Sequence, residues 1–175
     1  TGKHMKLQKS LDAFLFCCYA GMRYSDFTNL SKKNIVDINQ ETWLIYKSVK
    51  TGTEVRLPLY LLFAGKGIVI LNKYRNNLED FFRLRDNSNI NKDLIIIAKL
   101  AGLSKKISFH TARHTNATLL IYNGVNITTV QKLLGHKSVK TTQVYTNIMD
   151  MTIVHDLEKI QHYKITCLLL IKAVI

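Results

Sequence analysis

The sequence predicts a mainly α domain of the α+β class, with one small three-stranded antiparallel sheet near its N-terminal third. Two observations carry this reading. Apolar side chains recur at helical spacing over most of the 175 residues. Between Asn34 and Leu59 that spacing gives way to three short runs separated by turn-forming pairs. Composition agrees: 47% of residues are apolar, 21% are charged and Pro occurs once, so the chain can bury a core and is neither disordered nor collagenous. No internal repeat and no Pro/Gly/Ser linker divides it, so residues 1–175 read as one domain.

In chain order, Leu11, Phe14, Leu15, Cys18 and Met22 mark a first helix ending near Gly21. A short second helix follows from Ser25 to Leu30. Asn34–Ile38, Thr42–Val49 and Glu54–Pro58 read as strands joined by turns at Asn39-Gln40 and Thr51-Gly52. Pro58 stands where a strand can end without losing a ladder bond. Leu71, Tyr74, Leu78, Phe81 and Phe82 form one helical stripe, and Arg85–Asn91 reads as a polar turn. Leu94, Ile97, Ala98 and Ala101 form the next stripe, closed by Gly102. Ile95, Ile96 and Leu100 add a second apolar face, which predicts that this helix is well buried. Ser108 is placed to cap a helix from Phe109 to Tyr122, with Gly124 beyond its end. Ile127, Val130, Leu133 and Leu134 mark a short helix stopped by Gly135. Ser138 is placed to cap the next helix, which carries Tyr145. Ile153, Leu157 and Ile160 suggest a further helix, and the apolar run Cys167–Ile175 another.

Lys and Arg number 25 against 12 Asp and Glu, giving a formal net charge of +13. The simplest partner for so positive a domain is a polyanion, either nucleic acid or an anionic membrane. No apolar run reaches the ~18 residues of a membrane span, and Lys3, His4, Lys6 and Lys9 interrupt any secretory signal. Three cysteines, two of them the adjacent pair Cys17 and Cys18, suggest packing residues in a reducing compartment. The chain begins at Thr1, so the expectation is that it forms part of a longer protein.

Cleaving a DNA strand without a metal sets definite chemical demands. The transition state carries extra negative charge on the non-bridging oxygens, and arginine meets it best because its fork matches two phosphate oxygens and keeps its proton. The leaving 5′-oxygen needs a proton donor. A side-chain nucleophile would hold the phosphoryl group covalently. His110-Thr111-Ala112-Arg113-His114 places His110 and Arg113 three residues apart on one helical face. Taken alone, the segment reads more simply as a surface arginine beside a packed histidine. Zinc is a further reading of His110 and His114 at i, i+4 spacing. Against it, Thr111 stands where a metalloprotease helix has Glu, and no Cys is near. In Gly21-Met22-Arg23-Tyr24-Ser25-Asp26, Asp26 is close enough to hold a guanidinium or an imidazole, although a local ion pair explains the same spacing. Gly135 leaves His136 on a connector, where side chains tend to face a site, and Tyr145 follows nine residues later.

Together, Arg23, Lys50, His110-x-x-Arg113, His136 and Tyr145 occur in an order and spacing that resemble the catalytic domain of tyrosine recombinases, the phage-integrase family. FHTARHTNATLL…GVNITTVQKLLGHKSVKTTQVYTNI (109–148) resembles the family's C-terminal signature. GMRYSDFTNL (21–30) resembles its first arginine motif, and VKTGTEVRLPL (49–59) its β-hairpin with a lysine in the turn. The resemblance implies that Arg23 and Arg113 clamp the scissile phosphate and that Lys50 protonates the leaving 5′-oxygen. Lys47 competes for that last role but lies inside the strand. It further implies that His110 assists proton transfer from the tyrosine, that His136 hydrogen-bonds or packs on the phosphate, and that Asp26 buttresses the site. Tyr145 would be the nucleophile of a 3′-phosphotyrosyl link. No metal and no nucleotide cofactor is implied.

The expected protein is thus a cytoplasmic, bacterial site-specific recombinase, most simply the integrase of a mobile element, associated with the nucleoid when bound. Its expected partners are double-stranded DNA and itself: a tetramer on DNA and a monomer as the isolated domain, with no membrane involved. Type IB topoisomerase chemistry and a non-catalytic basic DNA-binding module are the alternatives. The family's N-terminal core-binding domain is not seen here, and Leu61–Gly67 matches no family pattern. The tail 161–175 is expected to dock on a neighbouring subunit, to fold back in cis or to be partly disordered.

Overall fold

A computed structural model describes residues 2–146 of the chain. Helix α1 (Gly2–Ala20) runs through the middle of the molecule and packs on the later helices α3 (Lys66–Lys73), α5 (Asn87–Leu100) and α6 (Phe109–Tyr122). Ala13, Phe16, Cys17 and Ala20 on its inner face are buried. An aromatic cluster fills the space around them. Phe27 meets Phe16, Phe81 and Phe82 edge to face, and Tyr74 stacks on Phe81 with ring centres 4.1 Å apart. Two carboxylates carried by or docked on α1 are buried with partners. Asp12 accepts from Lys73 Nζ and the Tyr74 hydroxyl, and Asp93 accepts from the Ser10 hydroxyl and Arg85. These side chains tie α1 to the elements on either side of it.

Helix α2 (Tyr24–Thr28) follows α1 after Gly21, and a 3-10 turn at Lys32–Asn34 leads into the sheet. The strands β1 (Ile35–Ile38), β2 (Glu41–Lys47) and β3 (Glu54–Pro58) form an antiparallel sheet in the order β1-β2-β3. Leu44 pairs with Ile35 on one side and with Leu57 on the other. The Asn39-Gln40 turn takes positive φ at both residues, the geometry of a tight two-residue hairpin. Strand β2 stops two residues short of the expected Val49, so Ser48 and Val49 belong to the second turn.

Beyond the sheet, the stripe Leu71–Phe82 is divided between α3 and α4 (Leu78–Phe82). Its spacing stays in phase across the break, but Asn77 accepts the Asp80 N–H and starts a new helix. The Arg85–Asn91 segment is not all turn. Asp86 caps α5, which begins at Asn87. The second apolar face of α5 is not covered: Ile95, Ile96 and Leu100 are exposed, Leu100 at 79%. That face lines shallow surface grooves with Leu103 and Ile107 on one side and Leu7 and Leu11 on the other. Within 61–67, Leu62–Gly65 forms a 3-10 turn with positive φ at Phe63 and Ala64, and α3 begins at Lys66. Helix α6 starts on a reciprocal capping box of Ser108 and Thr111. Helix α7 (Ile127–Leu134) ends at Gly135, and α8 (Lys140–Gln143) is a single turn. Ser138 accepts the Lys140 N–H, although the residue at the cap position of α8 is Val139. Among the described residues no helix is long and apolar enough to cross a membrane. The helix expected around Ile153–Ile160 and the tail 161–175 lie outside the described residues.

Candidate active site

The site is assembled where two helices end. At the C-terminus of α1, Gly21 takes φ +67°, and a Cβ there would meet Asn116 Oδ1 at 2.6 Å and Leu134 Cδ2 at 2.9 Å. Only glycine suits both the backbone conformation and the space. The last carbonyls of a helix lack intrahelical donors, and here α6 supplies them. Asn116 Nδ2 donates to the Cys18 and Tyr19 carbonyls. Arg113, one helical turn earlier on α6, donates through NH1 to the Gly21 carbonyl (2.7 Å) and through NH2 to the Leu134 carbonyl (2.5 Å). Arg113 is 1% exposed. Burial, followed by the Arg23 charge, pulls its pKa down to about 10. One guanidinium thus joins the end of α1 to the end of α7, with its remaining N–H groups unassigned to either.

Helix α7 closes with a Schellman turn: His136 N–H bonds the Gln131 carbonyl and Gly135 N–H bonds the Lys132 carbonyl, with Gly135 at φ +62°. The carbonyls of residues 134, 135 and 136 each take a side-chain donor. Leu134 O accepts from Arg113, Gly135 O from the Thr51 hydroxyl (3.0 Å) and His136 O from Gln131 Nε2 (3.0 Å). His136 itself is buried, with Nδ1 2.9 Å from the hydroxyl of the fully buried Thr142. Burial lowers its pKa to about 4, and the Arg113, Arg23 and Lys50 charges act in the same direction, so the ring is neutral near pH 7. When Thr142 donates to Nδ1, the ring proton sits on Nε2, the donor that a phosphate oxygen needs.

Arg23 occupies the N-cap position of α2. Its NH1 lies 3.4 Å from Asp26 Oδ2 and 3.2 Å from Ser48 Oγ. Asp26 is 1% exposed and also accepts the Val49 N–H (2.8 Å) and the Ser48 hydroxyl. Asp26 therefore holds both Arg23 and the hairpin turn. Lys50 is exposed in that turn, whereas Lys47 is the last residue of β2. Tyr46 lies beneath, its buried hydroxyl without a partner among the described residues. Burial raises its pKa, with Asp26 adding to the rise and Arg113 and Arg23 opposing it.

Tyr145 lies in the turn after α8 rather than on the helix, fixed by its N–H on the Thr142 carbonyl. It is 7% exposed. Burial raises its pKa, and Arg113 and Arg23 offset part of the rise. The phenol therefore keeps its proton at neutral pH. His110 is exposed in the first turn of α6, its pKa lowered by partial burial and then by His114, Arg113, Arg23 and Lys50. Between them stands His114, its ring 4.4 Å from that of His110 and 5.3 Å from that of Tyr145, edge-on in both cases. Among the described residues no third ligand joins the two histidines, so the zinc alternative has no donor set.

The structure thus brings the charges of Arg23 and Arg113 to bear on His110, His136 and Tyr145 alike, and that of Lys50 on the two histidines, with Asp26 bonded to Arg23. The sequence reading missed Ser48, Thr51 and Thr142, and weighed His114 only as a zinc ligand. Ser48 had a signal: it continues the inward row Leu44, Tyr46 along β2. Thr51 and Thr142 had none, because both act on partners brought in by the fold.

The fold and this cluster define a class of protein, and the comparisons name it: the chain belongs to the phage integrase family, whose model matches residues 4–151. It is 34% identical over 134 residues to the tyrosine recombinase XerA of Saccharolobus solfataricus, an alignment covering 74% of this chain and 42% of that protein. It is 31% identical over 144 residues to the tyrosine recombinase XerC of Rickettsia bellii, covering 77% and 46%. The chain therefore spans less than half the length of these two relatives. Among solved structures it resembles a XerA recombinase with TM-score 0.66 and 25% identity, covering 87% of this chain and 62% of that one. It also resembles a lambda integrase dimer bound to a core site, with TM-score 0.63 and 21% identity, covering 82% and 56%; at that identity the likeness is of fold.

Proposed function

We propose that this chain is the catalytic domain of a metal-independent, site-specific tyrosine recombinase that cleaves and rejoins double-stranded DNA. The observation that supports it most is Arg113. Its guanidinium bonds the ends of α1 and α7, and its charge acts on His110 and His136 together with those of Arg23 and Lys50. Tyr145 Oη attacks the scissile phosphorus, the P–O5′ bond breaks, and a 3′-phosphotyrosyl link forms. The phenolic proton passes to His110, and Lys50 gives a proton to the departing 5′-oxygen. Arg23, Arg113 and neutral His136 meet the charge that grows on the non-bridging oxygens. A partner strand's 5′-hydroxyl then attacks the same phosphorus, and Tyr145 leaves.

The reading extends to a tetramer on DNA, a monomer for this domain alone, and cytoplasmic action at the nucleoid. The tail 161–175 is assigned to docking between subunits. Incubation with duplexes carrying two target sites, beside incubation with supercoiled plasmid, tests the function. Exchange of strands between sites supports recombination, whereas relaxation without exchange identifies a topoisomerase. DNA binding with neither outcome leaves only the non-catalytic module.

A further inference from the structure

We infer that Thr51 is a positioning residue for Lys50, and that the C-terminus of α7 is the surface on which the hairpin carrying the general acid is held in register. The inference rests on the proposed role of Lys50. The residue before Lys50 is anchored on one side of the site, since Val49 N–H donates to buried Asp26 at 2.8 Å. The residue after it is anchored on the other side, since the Thr51 hydroxyl donates to the Gly135 carbonyl at 3.0 Å while accepting the Thr53 N–H at 3.4 Å. Lys50 is exposed between these two ties. Its side chain has many rotamers, so only its backbone can be fixed, and the two ties fix it.

The second tie lands on a meaningful atom. Gly135 O lies between Leu134 O, which holds Arg113, and the His136 backbone. One short strip of helix end therefore sets Arg113, His136 and Lys50 relative to one another. The hairpin also approaches closely there: a Cβ on Gly135 would stand 2.6 Å from Val55 Cγ2 of β3. Carbonyls at a helix C-terminus carry partial negative charge, which makes them strong acceptors and good neighbours for the Lys50 ammonium.

The test follows covalent attachment of the full chain to a duplex recovered from a random-sequence pool by that same attachment. The duplex is made with an ordinary phosphate or a 5′-bridging phosphorothiolate at the cleaved position. A thiolate leaves without a proton, so a defect confined to the general acid disappears on that substrate. Thr51→Val should slow attachment to ordinary DNA roughly tenfold, the effect of about one lost hydrogen bond, and Thr51→Ser should restore it. On the phosphorothiolate, Thr51→Val should fall within about twofold of the parent. No slowing, or equal slowing on both substrates, overturns the inference. Lys50→Ala separates the two claims. If the phosphorothiolate does not rescue it, Lys50 is not the acid and both readings fall. If it rescues Lys50→Ala but not Thr51→Val, only the role of Thr51 falls.

Discussion

Arg113 binds the Gly21 and Leu134 carbonyls, and the proposed role as a phosphate ligand asks it to present further N–H groups to the substrate. A guanidinium has enough donors for both, and an ammonium cannot span both carbonyls. Arg113→Lys is expected to slow covalent attachment by roughly 3 kcal/mol or more of barrier, while duplex affinity, which reports ground-state contacts, changes by no more than about threefold. Equal losses in rate and affinity, read by single-turnover kinetics and a binding titration, would mark Arg113 as an ordinary phosphate contact. His136 makes a different prediction. Its pKa is depressed on folding from the ordinary 6.5 to about 4. Above pH 6.5 the ring is neutral in both states and no stability depends on pH through it. As pH falls from 6.5 toward 4, the unfolded ring takes up a proton that the folded ring refuses, so stability drops. His110, also lowered, acts in the same direction. Thermal unfolding at pH 7.5 and 5 should therefore show a smaller pH-dependent loss for His136→Gln than for the parent. Equal slopes contradict the burial argument.

Gly21 and Gly135 are the joints between helices and candidate site residues, and each combines a left-handed backbone with no room for a Cβ. Gly21→Ala is expected to destabilise the fold by about 1–3 kcal/mol, with Arg113 displaced because its acceptor moves. Denaturant unfolding measures the first effect. A fully stable variant with unchanged attachment rate would show that the α1 end is not a fixed point of the site. These joints were legible before the structure, as glycines closing periodic stripes, and so were the sheet and most helices, since caps and turns are local signals. The six catalytic candidates were named through the resemblance of their order and spacing to a known family, each motif alone having a simpler structural reading. Other features were not local. The Leu71–Phe82 stripe keeps its phase through a break, so periodicity could not show that Asn77 restarts the helix. Apolar spacing on α5 shows where apolar residues point but not whether anything covers them, and Ile95, Ile96 and Leu100 are uncovered. The bond from Thr51 to Gly135 joins a hydroxyl and a carbonyl 84 residues apart, a pairing that no residue pattern announces.

Taken whole, the molecule is a core built around α1 on a chain of net charge +13. The tail 161–175 contributes an apolar run, Cys167–Ile175, broken only by Lys172. Leaving such a run in water forfeits about 25 cal/mol per Å² of burial, which supports its assignment to docking on protein. Deleting residues 162–175 is expected to leave covalent attachment within about twofold of the parent, because the six candidate residues all lie outside the deleted segment, but to impair exchange between two sites, which needs coupled subunits. Undiminished exchange by the truncated protein removes that assignment. The central claim, that Tyr145 carries the phosphoryl group, is tested most directly by mapping the DNA link. The protein is captured on duplex DNA under denaturing conditions, digested, and the modified peptide sequenced by mass spectrometry. The account predicts a 3′-phosphonucleotide on the Tyr145 phenol and no adduct from Tyr145→Phe. A link at another residue, a link through a 5′ end, or an adduct formed by Tyr145→Phe would contradict it.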